Sequence, residues 1–398
     1  MKITAIETLF AREFENVLWV RIHTDAGVIG LGETFYGAGA VSAHIHDTLA
    51  TRLLGRDPLR IEAIHKDLVN LPMAQSSTGA EYRAASAIDI ALWDLWGRAT
   101  DQPVHQLLGG LCRERLRVYN TCAGYQYVRN KDIRPVSTWN IGEDGPYEDL
   151  LGFTTDAGAL AENLLENGIN AMKIWPFDPA ARETGGVDIS TEQLKAALKP
   201  FELIRERVGD RMDIMVELHS LWNLTTAKRI ARALEPFAPT WLEDPIRMNS
   251  PQALAEYARA THVPVCASET MGSRWPYKEM LDRDAIGVVM VDLCWTGGLT
   301  EGRKIAAMAE TYHKPFAPHD CIGPVGFAAA VHMSFSQPNT LIQESVRAFY
   351  TGWYKELVTH VPTIRDGYVY PMQGPGLGTD LQSSVFERSD LVVRRSQA

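Results

Sequence analysis

From about residue 116 onward, short apolar runs alternate with longer amphipathic stretches, and this alternation constrains the fold more than any other feature. Eight such runs begin near residues 117, 170, 213, 239, 263, 287, 314 and 340. Stretches between them, such as EQLKAALKPFELIRERV and GLTEGRKIAAMAETYH, carry apolar residues at helical spacing. Buried strands alternating with helices over roughly 250 residues are typical of a parallel barrel. The pattern predicts an α/β chain built on a (β/α)7–8 TIM-type barrel.

The first part of the chain has a different texture and predicts an N-terminal α+β capping domain. Two strand-like segments, residues 17–27 and 28–35, meet at the hairpin signal Asp25-Ala26-Gly27. The strongest helical pattern covers residues 81–100. The tail is rich in Gly and Pro, and we expect it to pack back onto the capping domain. The predicted divisions are residues 1–115 for the capping domain, 116–370 for the catalytic barrel and 371–398 for the C-terminal segment.

Three glutamates stand at the ends of neighbouring predicted strands. Glu217, Glu243 and Glu269 follow one another at intervals of 26 residues, which corresponds to one β/α unit each. The active site of a parallel barrel lies where its strands end, so the three side chains would converge there. Converging carboxylates repel unless a cation joins them, and oxygen ligands suit Mg²⁺. The alternative is that each glutamate forms an ion pair with a basic residue of the barrel.

Two histidines also stand at strand ends. His319 follows strand seven, and Asp292 ends strand six beside it. An aspartate hydrogen-bonded to an imidazole fixes its tautomer and raises its basicity, so this pair indicates a general base. His219 lies two residues after Glu217, so an extended strand would place both side chains on one side. His219 could be a metal ligand, a second acid or base, or a structural histidine.

The remaining candidates are single residues. Lys173, at the end of strand two, could neutralise a carboxylate or a developing enolate, or pair with one of the glutamates. Glu344, at strand eight, could hydrogen-bond the substrate. Trp175, Trp295 and Asn16 are candidate substrate contacts, although Trp295 could instead fill a gap in packing.

Composition narrows the class of partner. The net charge of −10 argues against a nucleic-acid partner, which would require a basic face. Five cysteines without a CxxC pair indicate reduced thiols and a cytoplasmic protein. The first residues do not resemble a signal peptide, and no apolar stretch approaches a membrane span in length, so we expect no membrane partner.

Several motifs, in order and spacing, resemble one family over nearly the whole chain. They are AIDIALWDLWGRATDQPVHQLLGG, VELH, WLEDP, ASET, VMVDLCWTGGLTEGRKIA, FAPHD and IQE. Together they resemble the enolase superfamily, and within it the mandelate racemase/muconate lactonizing enzyme family. The subgroup that they resemble is that of the galactonate-dehydratase-like acid-sugar dehydratases.

This resemblance implies a hydro-lyase of carbohydrate acid catabolism that acts on a small-molecule carboxylate as a homo-oligomer. One Mg²⁺ per active site would be bound by the three glutamates. His319, tuned by Asp292, would remove the C2 proton to give an enediolate. His219 would protonate the departing C3 hydroxyl, giving a 2-keto-3-deoxy acid. Aldonates such as galactonate, gluconate and arabinonate are the expected substrates. A flexible segment, residues 12–16 or 125–156, would cover the site.

Two positions depart from the pattern of the family. Glu217 stands where aspartate is usual, and Trp175 stands where racemases and cycloisomerases carry the second lysine of Lys-x-Lys. Loss of that lysine removes one base of a two-base racemisation and favours dehydration. Asp292 argues against the mannonate dehydratase pattern. A racemase or epimerase that uses His319 and His219 as its two bases remains the alternative, and a non-catalytic barrel is a further one.

Overall fold

The computed structural model describes residues 1–74, 78–127 and 147–398, which form two β-sheets and the helices that cover them. The strands in these ranges are β1 Ile3–Ala11, β2 Val17–Thr24, β3 Ile29–Phe35, β4 Leu116–Thr121, β5 Ala171–Ile174, β6 Asp213–Glu217, β7 Trp241–Glu243, β8 Val265–Ala267, β9 Val288–Val291, β10 Phe316–Pro318, β11 Gln343–Ser345, β12 Ile364–Arg365, β13 Tyr368–Val369 and β14 Leu391–Gln397. The α-helices are α1 Ala38–His44, α2 Ala50–Leu53, α3 Ile61–Ala74, α4 Ala80–Thr100, α5 Val104–Leu107, α6 Asp149–Glu166, α7 Asp178–Thr184, α8 Thr191–Val208, α9 Leu224–Leu234, α10 Pro251–Ala258, α11 Arg274–Asp282, α12 Leu293–Thr296, α13 Gly298–Thr311, α14 Pro324–Ser336, α15 Arg347–Tyr350, α16 Tyr354–Leu357 and α17 Ser383–Phe386.

The N-terminal sheet is antiparallel, with strand order β14-β1-β2-β3. The predicted hairpin is confirmed, because β2 pairs with β3 from Val17–Phe35 to His23–Ile29. The predicted helix over residues 81–100 is confirmed as α4, which packs on β3. The apolar face of α4 is buried against the sheet, which explains why a long helix forms here.

Close packing of α4 on β3 depends on glycine. An ideal Cβ atom at Gly32 would lie 2.0 Å from the backbone oxygen of Ala87 in α4. Replacing Gly32 with alanine should therefore destabilise the fold by about 1–3 kcal/mol or more, the usual cost of overpacking a core. Urea unfolding followed by circular dichroism would measure the change. Gly39→Ala is the control, because no atom lies within 4 Å of a Cβ at that helical position; an equal loss there would contradict the explanation.

The larger sheet is a curled parallel sheet built from the eight runs predicted as strands. Successive strands from β4 to β10 pair in parallel, and β11 pairs with β4, so the sheet curls back on itself. On the other side of β11, Phe316 of β10 forms a parallel bridge with Thr340. A core cluster is drawn from all of these runs and comprises Tyr119, Ala171, Met215, Trp241, Cys266, Val288, Met290, Ala317 and Ile342. The strand ends therefore face one common region.

The C-terminal part of the chain contacts the N-terminal part directly. β14 pairs with β1 from Ala5–Gln397 to Ala11–Leu391. Upstream of β14, the backbone N–H of Leu377 donates to Asp94 of α4 over 2.7 Å. These contacts agree with the expected packing of the tail, while the division points at residues 115 and 370 stay predictions. Within the described ranges, no helix combines the length and apolar character needed to cross a membrane.

The prediction of a long irregular segment after Gly124 is partly wrong. Residues 128–146 lie outside the described residues, but α6 already begins at Asp149. The helix forms because Leu150 and Phe153 are buried, and because Asp149 makes a buried ion pair with Arg347 over 2.6 Å. These contacts come from distant parts of the chain, so the glycine and tryptophan content of the segment gave a misleading signal.

Candidate active site

A cavity of about 90 Å³ lies where the strands of the curled sheet end. Seven of the predicted site residues line it: Lys173, Trp175, Glu217, His219, Glu269, Trp295 and His319. Four lining residues were not predicted: Tyr36, Thr121, Tyr127 and Cys321. A larger cavity of about 360 Å³ shares only Trp175 with it and is lined mainly by apolar and proline side chains. The small cavity is therefore the candidate site, because it gathers the groups that can perform chemistry.

The three glutamates converge as predicted. Glu217 and Glu243 end adjacent strands in register, and Glu269 follows β8 by two residues. One oxygen from each carboxylate lies within 4.8 Å of the others. Oε2 of Glu217 is buried and accepts no hydrogen bond from the described residues. Burial and the neighbouring Glu217 charge raise the pKa of Glu243 well above its usual value.

These observations fit a divalent cation. Three carboxylates at this spacing, of which Glu217 has one oxygen that accepts no hydrogen bond from the described residues, suit a hard ion that takes further ligands from water and substrate. A bound cation would also offset the repulsion that raises the pKa of Glu243. His219 is not part of this group of possible ligands among the described residues.

Lys173 is the cation inside this acidic cluster. Its side chain is only 3% exposed, and its Nζ lies 2.5 Å from Glu243, 2.9 Å from Glu344 and 3.7 Å from Glu217. Burial alone would lower the pKa of Lys173, but Glu243 and Glu344 raise it well above the usual value. Lys173 is therefore a salt-bridge partner of the glutamates and also lines the cavity, so the two interpretations of the sequence are compatible.

Glu344 lies behind Lys173 rather than at the cavity wall. It is fully buried, and it accepts hydrogen bonds from the hydroxyl of Thr121 and, over 2.8 Å, from the backbone N–H of Asp320. In this arrangement Glu344 holds Lys173 and the chain after His319. A direct hydrogen bond from Glu344 to the substrate stays a prediction.

His319 and Asp292 are brought together as the sequence indicated. His319 donates from Nδ1 to Asp292 over 2.7 Å, and its Nε2 lies 3.0 Å from Glu269. Burial alone would lower the pKa of His319, but Glu269 and the other carboxylates raise it well above 6.5. The ring packs against Trp295 in a tilted arrangement, with 5.6 Å between centroids and 35° between the ring planes. His319 is thus held with Nε2 directed at the acidic cluster.

His219 reaches the cavity by a different route from the one expected. β6 ends at Glu217, and His219 has a φ of 49°, so the two residues are not consecutive members of one strand face. The backbone N–H of His219 donates to Glu217 over 2.6 Å, and its Nδ1 donates to Asp178 over 2.8 Å. Burial alone would lower the pKa of His219, but Asp178 and Glu217 raise it to about 9.

The sequence analysis missed several residues of the site. Asp178, the buried partner of His219, stands in WPFD just after strand two, where only Lys173 and Trp175 were considered. Tyr36 directly follows β3 of the N-terminal sheet and packs against Trp295 in a tilted arrangement, with 5.6 Å between ring centroids. A search for polar residues after each strand, including those of the N-terminal sheet, would have found both.

Asn16 does not line the cavity. It is nearly buried, and its carbonyl accepts a hydrogen bond from the backbone N–H of Tyr36 over 2.8 Å. The neighbouring Phe14 packs on Trp353 with 5.1 Å between ring centroids. The structure therefore offers Tyr36, rather than Asn16, as the contribution of the N-terminal domain to the cavity wall.

Comparisons with known proteins match this arrangement over the whole chain. The family model described as the mandelate racemase/muconate lactonizing enzyme N-terminal domain matches residues 4–109, and the one described as enolase C-terminal domain-like matches residues 156–385. A D-galactonate dehydratase from Pectobacterium atrosepticum is 32% identical over 100% of this chain and 95% of its own length. One from Ralstonia nicotianae is 32% identical over 98% of this chain and 94% of its length.

Solved structures also match this chain over its whole length. The crystal structure of an enolase of the mandelate racemase subgroup from Agrobacterium tumefaciens is 46% identical, with a TM-score of 0.88, over 100% of this chain and 99% of that one. An enolase protein from the environmental sequencing of the Sargasso Sea is 42% identical, with a TM-score of 0.89, over 100% and 99% of the two chains. The chain belongs to the mandelate racemase/muconate lactonizing enzyme family of the enolase superfamily.

Proposed function

We propose that this enzyme uses Mg²⁺ to dehydrate a sugar acid, an aldonate such as galactonate, gluconate or arabinonate, to a 2-keto-3-deoxy acid. The dehydratase class itself follows from the full-length similarity to the D-galactonate dehydratases. The observation that carries the proposal is one cavity that holds two histidines beside the three-glutamate cluster. Dehydration needs one group to remove a proton and another to protonate a leaving hydroxyl.

The carboxylate end of the substrate is bound at the acidic cluster. A divalent ion held by Glu217, Glu243 and Glu269 would supply positive charge to the substrate carboxylate. Lys173 adds a second positive charge there, because it is buried and its pKa is raised by Glu243 and Glu344 despite desolvation. Charge that develops on the carboxylate as the C2 proton leaves is thereby stabilised.

The two histidines act at neighbouring carbons. His319, held by Asp292, removes the proton from C2. His219, whose raised pKa favours the imidazolium, donates a proton to the C3 hydroxyl as the C–O bond breaks. The resulting enol tautomerises to the 2-keto-3-deoxy acid. Tyr36, Tyr127 and Trp295 enclose the cavity and exclude water from the intermediate.

Racemisation or epimerisation is the second candidate, because two histidines line the same cavity and could exchange protons with one carbon. Trp175, directly after β5, stands in place of a second lysine and favours dehydration. Deuterium incorporation at C2 with inverted configuration, and without a keto product, would favour the racemase.

A substrate screen tests the proposal. Purified protein with Mg²⁺ is incubated with a panel of aldonic and aldaric acids, and 2-keto-3-deoxy products are detected with semicarbazide. We expect product from at least one acid, and we expect EDTA to abolish its formation and Mg²⁺ to restore it. Absence of product across the panel, from protein shown to bind Mg²⁺, would contradict sugar-acid dehydration.

Further parts of the proposal rest on the sequence and on family membership. We propose a cytoplasmic homo-oligomer, with the curled sheet acting as a (β/α)7–8 barrel and with divisions near residues 115 and 370. Light scattering on the purified protein tests the oligomeric state, and limited proteolysis tests the division points.

A further inference from the structure

A second aspartate–histidine pair, Asp178 with His219, lies across the site from Asp292 and His319. Asp178 begins α7, just after β5, and is completely buried. Its Oδ2 accepts a hydrogen bond from Nδ1 of His219 over 2.8 Å, close to the 2.7 Å between His319 and Asp292. His219 lines the cavity, whereas Asp178 stands behind it.

This contact fixes the orientation of the imidazole. A carboxylate accepts hydrogen bonds, so Nδ1 of His219 must carry a proton, and proton transfer to a ligand would take place at Nε2. The backbone of His219 is in the left-handed region, so no regular strand geometry sets the direction of this side chain. The edge-on contact with Trp175, at 5.9 Å between centroids, and the bond to Asp178 therefore help to set where the ring points.

Among the described residues, the contacts of Asp178 other than its bond to His219 do not indicate a role in stabilising the fold. Its carboxylate makes no ion pair with an arginine or lysine there, and its Oδ1 accepts no hydrogen bond. The nearby Arg182 attracts it electrostatically but forms no ion pair with it among the described residues, where Nε of Arg182 is buried without a hydrogen-bond partner. A buried carboxylate whose one hydrogen-bonded side-chain partner is a histidine is costly for stability, which favours a role in function over one in folding.

We propose that Asp178 is a positioning residue that holds His219 as the proton donor to the leaving hydroxyl. This inference rests on the proposed dehydratase function. In the step, the Nε2 proton of His219 passes to the C3 hydroxyl, the C3–O bond breaks and water departs. The electron pair of the enediolate forms the C2–C3 double bond of the enol. His219 becomes neutral and keeps its Nδ1 proton, which stays hydrogen-bonded to Asp178.

The test separates the two halves of the reaction. In Asp178→Asn, formation of the 2-keto-3-deoxy acid should fall about 100-fold or more, the scale of general acid catalysis, while exchange of the C2 proton with deuterated water should stay within about threefold. Asp292→Asn is the matched variant with the same chemical change, and it should lose exchange and dehydration together. Parallel loss of both activities in Asp178→Asn, or no loss of either, would overturn the proposal.

Two further variants distinguish positioning from support of the fold. If Asp178 acts through His219, adding Asp178→Asn to His219→Asn should cause no further loss of dehydration. A structural role would instead add its cost to the double variant. Asp178→Glu keeps the carboxylate and should recover part of the dehydration that Asp178→Asn loses; no recovery would count against the proposal.

Crystal structures of a variant test the positioning role of Asp178 independently of which reaction the enzyme catalyses. If the unaltered enzyme dehydrates no acid of the panel, the proposed function fails, and the ring of His219 decides the role of Asp178. We expect that ring to leave its place at the cavity wall in crystals of Asp178→Ala, which removes the acceptor that asparagine would keep in its amide oxygen. An unmoved ring in the variant would overturn the positioning role, whatever the substrate.

Discussion

Replacing His319 with asparagine should lower the rate of dehydration and the rate of C2 proton exchange by roughly 10⁴-fold each. This is the upper range for loss of a general base. Asparagine can still donate a hydrogen bond to Asp292, so the fold around the site should persist. Both rates are measured on the same acid, by semicarbazide for the keto product and by ¹H NMR in deuterated water for exchange.

His313→Asn is the matched control for this variant. His313 is exposed and precedes β10, whereas His319 follows that strand, so the two histidines stand at opposite ends of it. The φ of 56° at His313 is one that asparagine tolerates well. Activity should therefore be unchanged. Persistence of C2 exchange in His319→Asn would show that another group removes the proton.

Replacing Lys173 with methionine should give the largest loss of stability. The variant removes the cation that lies 2.5 Å from Glu243 and 2.9 Å from Glu344, both fully buried. Removal of one partner from a buried ion pair typically costs about 3–5 kcal/mol of unfolding free energy, because the remaining charge is left without compensation. Urea unfolding in the presence of EDTA measures the loss without a contribution from bound cations. Dehydration should also be lost.

The chain offers a control with the same residue types and the same distance. Lys228 and Glu256 also lie 2.5 Å apart, but at the surface. Lys228→Met should have a much smaller effect, because solvent screens that pair. The double variant Lys173→Met with Glu243→Gln should be more stable than Lys173→Met alone, since it removes one orphaned charge. Equal losses at the buried and exposed lysines would contradict this account.

The parts of the fold that repeat were readable from the sequence. Each of the eight apolar runs holds a strand, and the interval of 26 residues between Glu217, Glu243 and Glu269 placed all three at one end of the sheet. This worked because parallel strands convert a repeat in the sequence into neighbours in space. The start of α6 at Asp149 was not readable, because it depends on a contact with Arg347.

The residues of the site also divide into those that could be predicted from the strand ends and those that could not. His319 and Asp292 were predicted as a pair because both end strands of the same sheet. Asp178 and Tyr36 were missed because neither position follows from strand periodicity. Asp178 lies on a short helix after β5, and Tyr36 reaches the cavity only because the N-terminal sheet docks on the strand ends. The predicted path of the chain at His219 was wrong for a related reason. Its φ of 49° interrupts the strand geometry that would place the side chains of Glu217 and His219 on one face.

The pairing of β1 with β14 has a consequence for biosynthesis. Ala11 and Leu391 are partners in the sheet although about 380 residues separate them in the chain. At typical translation speeds of roughly 5–20 residues per second, the outer edge of β1 stays open for about 20–80 s after it is made. An open strand edge is a template for association with other nascent chains. High-level expression should therefore depend on chaperones that shield this edge until β14 arrives.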